Sequence, residues 1–318
     1  MLEVFIYFIM NSNNTQSVVL SVVSPMYNGS LYLKPFLQSV LHQSFSSFEL
    51  IMVDDGSIDD SIQIVRTYQE EDARIHLIQQ NHQGAGSARN LGLAHAKGQY
   101  IMFLDCDDWF KEDFFQTMID RITEDQSDVV VCEFFFYNQL TGETKRSAIL
   151  ETGNRKIENS DLVFDIFVPS VWVRLYRTLF LKQNQLSFQD IPSCNDWSFS
   201  YISLCCANKI SVVHKPLVFY RTKTKNSISS QRYKRTKDIV EAVKDLKRQL
   251  VKRKLYENFK HGFARRSFRH LGGEAFTRRE LIGFYILLRN LLIVRDFAIY
   301  KVVIPEVIRY CLKRLRKK

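Results

Sequence analysis

Tyr100-Ile101-Met102-Phe103-Leu104-Asp105-Cys106-Asp107-Asp108-Trp109 sets five mostly apolar residues directly before three carboxylates within four positions. A short apolar run bounded by polar residues predicts a strand covered on both faces. In an open α/β sheet, ligands bind in the crevice beyond the carboxyl ends of the strands, where these acids fall. Carboxylates at that spacing repel one another unless a cation lies between them. Mg²⁺ or Mn²⁺ suits the place, because hard cations take oxygen ligands and are commonly completed by substrate phosphates. Taken alone, Asp-x-Asp is as compatible with a solvated acidic turn. Its surroundings decide.

Upstream the same pattern of apolar run and polar turn recurs. Val18–Val23 predicts a strand ended by Ser24-Pro25, with Tyr27-Asn28-Gly29 as a loop. Ser30 is placed to cap a helix carrying Leu33, Leu37, Val40 and Leu41 on one face. Phe48–Val53 predicts a second strand, followed by the turn Asp54-Asp55-Gly56. Ser57 with Asp60 predicts a capping box for a helix running to about Glu70. Ile75–Gln79 reads as a third strand, and Gly84-Ala85-Gly86 leads into a helix over Ser87–Ala96. This alternation predicts a parallel, doubly wound half.

Downstream the regularity fades. A helix is expected over Lys111–Glu124, a strand over Asp128–Tyr137, and a loop or hairpin over Leu140–Ser160. Val171–Leu181 mixes aromatic, basic and apolar residues. Asn195–Ala207 reads as a helix, Ile210–Val213 and Pro216–Arg221 as two short strands, and Thr222–Arg232 as a polar segment.

Composition excludes several classes. The 318 residues, 46% hydrophobic and 25% charged, suffice for one or two globular domains. Cys106, Cys132, Cys194, Cys205, Cys206 and Cys311 form no Cys-x-x-Cys pair and have no His at zinc spacing. They read as free thiols of a reducing compartment. No phosphate-binding Gly-x-x-x-x-Gly-Lys-Ser/Thr loop occurs. Gly84-x-Gly86 lacks the further glycine and the position after the first strand that a dinucleotide site needs.

Charge is divided unevenly. From Gln231 to Lys318 there are 25 Lys and Arg against 8 Asp and Glu, whereas the first 230 residues hold 19 against 26. An acidic body with a basic tail suggests that the tail meets an anionic surface. Ile239, Val243, Leu246 and Leu250 form one helical stripe in this tail. Leu281–Tyr300 is apolar but cut by Arg289, Asn290, Arg295 and Asp296, which argues against a membrane span. After Pro305 a last helix would turn Ile304, Ile308, Cys311, Leu312 and Leu315 to one side, with Lys313, Arg314, Arg316, Lys317 and Lys318 at its end. That pattern suits an interfacial helix on anionic lipid, and equally a packed helix with a solvated basic end. Few aromatics are interleaved with the basic residues, which argues against nucleic acid. Leu2–Met10 is too short to span a bilayer and lacks the basic region of a signal peptide. It reads as a weak anchor or as an extension upstream of Met10.

Four clusters now follow strands in order: Pro25–Asn28, Val53–Ser57, Gly84–Asn90 and Asp105–Asp108. Together with Ser21–Asn28, Ser39–Ser44, Phe48–Ser57, Gly84–Gly92 and Gly98–Trp109, they make the chain resemble the family-2 glycosyltransferases. These are inverting enzymes of the GT-A fold that use nucleotide sugars, many in bacterial polysaccharide assembly. The resemblance is dense over residues 17–135, weaker to about 230, and does not reach the basic tail.

The resemblance implies an α/β, Rossmann-like, mostly parallel sheet flanked by helices, with a helical basic extension. The expected organisation is a lead-in over 1–16, a catalytic domain over 17–230 split near 135 into nucleotide-sugar and acceptor halves, and the extension over 231–318. Pro25, Tyr27 and Asn28 with Asp54 or Asp55 would hold base and ribose, and Arg89 would screen the diphosphate. Asp105 and Asp107 match the family's Asp-x-Asp and would touch ribose and a Mn²⁺ or Mg²⁺ ion, with Asp108 as a further ligand or as a partner that supports the ligands. His214 is a metal ligand in some relatives' pattern, although a lone His beside a strand is as readily structural. Arg221, with Lys223 and Arg232, would clamp phosphates, and reads equally as solvated charge.

Asn195-Asp196-Trp197 matches the step that carries the family's catalytic carboxylate, so Asp196 is the expected general base, with Asp190 in reserve. A helix N-terminal acid is the plainer reading of Asp196. The implied partners are a nucleotide-sugar donor, usually UDP-linked, a lipid-linked or growing glycan acceptor, and the inner face of the plasma membrane. The competing expectation is a catalytically silent nucleotide-sugar-binding scaffold.

Overall fold

The computed structural model describes residues 18–149, 157–224 and 236–275. The expected lead-in, Arg232, the Leu281–Tyr300 segment and the helix after Pro305 lie outside the described residues.

Apolar runs and intervening amphipathic stretches give strands β1 (Leu20–Met26), β2 (Phe48–Asp54), β3 (Ile75–Gln79) and β4 (Tyr100–Phe103). Between them lie helices α1 (Ser30–Leu41), α2 (Ser61–Glu71) and α3 (Ala85–His95). These strands pair in the order β3-β2-β1-β4, all parallel. Successive right-handed crossovers in one direction put α1 and α2 on one face; the reversed step from β3 to β4 puts α3 on the other.

The second half comprises β5 (Trp109–Phe110), α4 (Phe114–Asp125), β6 (Val129–Asn138), β7 (Thr144–Arg146), α5 (Leu162–Ile166), β8 (Arg174–Arg177), α6 (Thr178–Gln183), α7 (Asn195–Cys206) and β9 (Ile210–Thr222). Among the described residues the sheet continues β4-β8-β6-β9-β5, with β7 paired to β6. β8 runs antiparallel to β4 and to β6, so β6 and its parallel neighbour β9 run with β4. The carboxyl ends of β1, β2, β4, β6 and β9 therefore share one edge. The sheet is parallel only in its first half and mixed beyond, because β8 enters between β4 and β6 in the opposite sense.

Four local expectations are corrected. β1 does not stop at Ser24-Pro25 but runs to Met26, with Pro25 paired to Val53. Pairing with β4 has already ended at Val23, so the missing N–H of Pro25 breaks no bond there. Ser30 opens α1 rather than capping it, and α2 starts at Ser61, without a capping box at Ser57. Instead the Asp59 carboxylate accepts from Ser61 N at 3.0 Å and Ser30 N at 3.1 Å, serving both helix starts. Burial alone would raise its pKa, but the bonds from Ser61 and Ser30 outweigh that and hold it below the ordinary value. Finally, Ile210–Thr222 is one strand, with a bulge where Val213 faces Cys132 and Pro216 faces Glu133. A bulge tolerates proline because it removes a ladder bond.

The basic segment folds back as α8 (Thr236–Lys252) and α9 (Tyr256–Ala275). The predicted stripe Ile239, Val243, Leu246 and Leu250 is buried. Its fixed partners lie in and just before α7: Ser198 Oγ donates to Asp245 at 2.7 Å and Ser193 Oγ to Asp238 at 2.6 Å. Each buried aliphatic contributes about 1.5–3 kcal/mol, so the stripe in sum rivals a domain's whole net stability. Ala242, Val243, Leu246, Leu250, Phe259 and Phe263 join the same core as the sheet, so packing does not divide at residue 230. Gly262 admits this contact, since a Cβ there would meet Asp161 O at 2.6 Å. Among the described residues no helix is long and apolar enough to cross a membrane.

Candidate active site

The acids that open the sequence reading leave β4 at the shared sheet edge. Among the described residues, Asp105, Asp107 and Asp108 form the one group able to hold a metal ion, offering oxygens within 4.8 Å of one another. Burial first, and the charge of Asp105 second, push the Asp107 carboxyl up to about 6. Asp108 is fully buried and raised well above the ordinary value by burial and then by Asp107 and Asp105. One of its oxygens accepts from Arg221 N at 2.8 Å, while Oδ2 is buried with no protein partner. Crowded carboxylates with an orphaned oxygen fit a hard divalent cation.

Arg89 of α3 ties this cluster to the start of α7. It is 6% exposed. One nitrogen donates to Asp105 Oδ1 at 2.6 Å and another to Asn195 Oδ1 at 2.8 Å. Asn195 and Asp196 open α7 after Cys194, whose backbone is left-handed with φ 58°. Asp196 is half-buried, one residue beyond the Arg89 contact, whereas Asp190 is exposed. α3 and the start of α7 approach closely at Gly86, where a Cβ would lie 2.4 Å from Gln189 O and 3.1 Å from Asn195 Cβ. No side chain but glycine fits.

At the end of β2, Asp54 and Asp55 have separate duties. Asp54 accepts from Ser57 N at 3.2 Å and Gly56 N at 3.3 Å, and it lines an open cleft of about 600 Å³ with Gln79, Asn81 and Gln83. Asp55 accepts from Gln80 Nε2 at 2.7 Å, Gln83 N at 2.8 Å and Gly84 N at 2.8 Å, and pairs with His82 at 2.8 Å. Its carboxylate is occupied in shaping the loop before α3. Tyr27, 47% exposed, stacks on His82 with ring centroids 4.2 Å apart. Asn28 joins two loops: its N–H donates to Ser57 Oγ and its Oδ1 accepts from Ile58 N, each at 2.9 Å. Pro25 is buried in β1.

Arg221 reaches the acid loop, donating from Nε to Asp107 O at 2.7 Å and also to Gln139 Oε1. Its guanidinium lies 4.5 Å from the Trp109 ring centroid and 4.9 Å from that of Tyr32. His214 is not brought to the acids. It sits at the β9 bulge, seven residues and about 20 Å of extended chain before Arg221. There it faces buried Glu133 at 3.4 Å, which Arg146 also pairs at 2.6 Å. His82 and the Arg89–Asn195 contact escape the sequence reading. His82 lies in an unpatterned loop, and the contact spans 106 positions.

The sequence matches the model described as Glycosyl transferase family 2 over residues 21–184. The chain belongs to glycosyl transferase family 2. This family-2 chain is 32% identical over 228 residues to glycosyltransferase EpsJ of Bacillus subtilis, covering 69% of this chain and 65% of that one. The chain thus spans a little under two thirds of that relative. It is 30% identical over 220 residues to glycosyltransferase GlyG of Streptococcus pneumoniae, covering 65% of this chain and 72% of that one. The crystal structure of Staphylococcus aureus TarS 1-349 in complex with UDP-GlcNAc superposes with a TM-score of 0.71 at 25% identity, over 86% of this chain and 79% of that one. The expected GT-A fold is therefore present.

Proposed function

We propose that the protein is an inverting glycosyltransferase that moves a sugar from a UDP-sugar to a hydroxyl of a lipid-linked or growing glycan. One observation carries the reading: Arg89 bridges the metal-competent acids and the helix start that bears Asp196. The named relative TarS, a poly(ribitol-phosphate) β-N-acetylglucosaminyltransferase crystallised with UDP-GlcNAc, supports a UDP-linked donor. Base and ribose lie in the cleft beside Asp54, with Tyr27 at its rim. Asp55 serves indirectly by holding the loop.

Asp105 and Asp107, with the free oxygen of Asp108, would hold Mn²⁺ or Mg²⁺, which when bound supplies positive charge for the leaving diphosphate. Arg89 adds a fixed cation, and Asp196 takes the proton of the attacking acceptor hydroxyl. In-line displacement turns an α-linked donor into a β-linked product. The basic tail docks the enzyme on the anionic inner membrane face.

A screen of UDP-, GDP- and CDP-sugars with Mn²⁺, read by thermal shift and nucleotide release, tests the donor assignment. UDP-sugars are expected to raise Tm and to release UDP slowly. Stabilisation by no nucleotide sugar would overturn it. Cosedimentation with anionic vesicles that fades as salt rises, without matching oligonucleotide binding, is expected of the tail; oligonucleotide preference would refute the docking.

A further inference from the structure

An aromatic shelf that the donor reading does not use stands beside the acid cluster. In the register of β6, β9 and β7, Phe136 lies opposite Tyr220, Asn138 opposite Thr222, and Lys145 opposite Phe136. Residues directly opposite share a face of the sheet. Trp172 lies flat on Tyr220, with centroids 4.8 Å apart and planes 10° from parallel, and Phe136 meets Tyr220 edge-on at 6.2 Å. Trp172 is buried beneath the shelf, while Phe136 is 40% exposed. Beside it is a cleft of about 420 Å³ lined by Phe136, Asn138, Glu143, Thr144, Lys145 and Thr222.

The shelf lies within reach of the chemistry. Tyr220 immediately precedes Arg221, whose N–H donates to Asp108. The Arg221 side chain turns toward Tyr32 of α1. Strand alternation then turns Tyr220 to the opposite face, the one that carries α3 and, through Arg89, the start of α7. Arg174, two residues after Trp172, reaches Ser200 O of α7 at 2.8 Å and agrees with that placement. The aromatic rings and Asp196 thus share one face and one edge of the sheet.

An exposed ring bounded by an amide, a carboxylate, an ammonium group and hydroxyls suits a ligand with apolar C–H faces and many hydroxyls. A cleft of this size accepts a small ligand. We infer that Phe136, braced by Tyr220 and Trp172 and rimmed by Asn138, Glu143, Lys145 and Thr222, binds a sugar ring of the acceptor glycan. This rests on the glycosyltransfer reading above and adds the acceptor subsite to it.

The test is binding of the labelled full-length chain to an array of hexose and N-acetylhexosamine oligosaccharides, with UDP affinity measured in parallel. Phe136→Ala and Tyr220→Ala are expected to weaken glycan binding by about tenfold each, the scale of one aromatic contact. Tyr220→Phe, which keeps the ring, is expected to stay within about twofold. UDP affinity reports whether each variant is folded. Binding of no oligosaccharide by the wild type, or equal binding by the alanine variants, overturns the shelf. If the wild type fails to bind UDP while shelf-dependent glycan binding persists, the transferase reading falls and the saccharide site stands.

Discussion

In the first, parallel half of the sheet, Asp54, Asp55 and Asp59 turn their carboxylates onto backbone N–H groups of neighbouring turns: Gly56 and Ser57, Gln83 and Gly84, Ser30 and Ser61. In the second half, side chains bond side chains of other elements. Asn195 accepts from Arg89 in another helix, Glu133 takes Arg146 from a hairpin, and Ser198 donates to Asp245 of α8. The loops after β1, β2 and β3 are therefore shaped by carboxylate-to-backbone bonds repeated at each strand end. The second half depends on a few side-chain pairs, so under the proposed function single substitutions there should separate transfer from donor binding.

The largest expected effect is on that separation. Asp196→Asn should lower transfer by roughly 10²–10⁴-fold, the range of a lost general base, while UDP affinity stays unchanged. Kinetics beside nucleotide titration would decide it; weaker UDP binding with normal turnover at saturation would assign Asp196 to the donor side instead. Arg89→Ala should damage both halves, since Asp105 loses its cation and Asn195 its donor. Chemical denaturation should register a loss of about 3 kcal/mol, and an unchanged midpoint would mean that the halves are not joined there.

A smaller effect follows from pH. Asp107 is raised to about 6 by burial and by Asp105. Without metal, its proton is held more tightly in the folded chain, so this group favours folding at low pH and loses that contribution as pH rises through about 6. Metal binding requires the ionised form. Mn²⁺ affinity, followed by calorimetry, should therefore fall about tenfold per unit below that point for each proton displaced. A flat profile between pH 5 and about 7 would remove Asp107 from the ligand set.

The smallest effect is expected at the bulge. Burial acts to raise the Glu133 pKa, but Arg146, Ile149 N and His214 outweigh it and hold the carboxyl below its ordinary value. Its stabilisation is present above that ordinary value and lost as pH falls through the lowered one. Glu133→Gln should cost about 1 kcal/mol at neutral pH, because solvent screens the half-exposed Arg146. Donor affinity should not move; if it does, the hairpin is coupled to the nucleotide cleft.

The residues themselves determined the four parallel strands, the turn at Asp54-Asp55-Gly56, the acids after β4 and the apolar stripe of α8. Each is written within a dozen or so neighbouring residues as an apolar period or a turn preference. The tertiary structure alone decided that β8 enters antiparallel between β4 and β6, and that β9 is one bulged strand with His214 drawn to Glu133. It also decided that Arg89 spans Asp105 and Asn195, and that α7 and the body of the domain cover the α8 stripe. Most of these outcomes depend on partners dozens of residues apart, and Arg89 and Asn195 on a separation of 106 positions, where burial and charge pairing choose among arrangements that local pattern leaves equal.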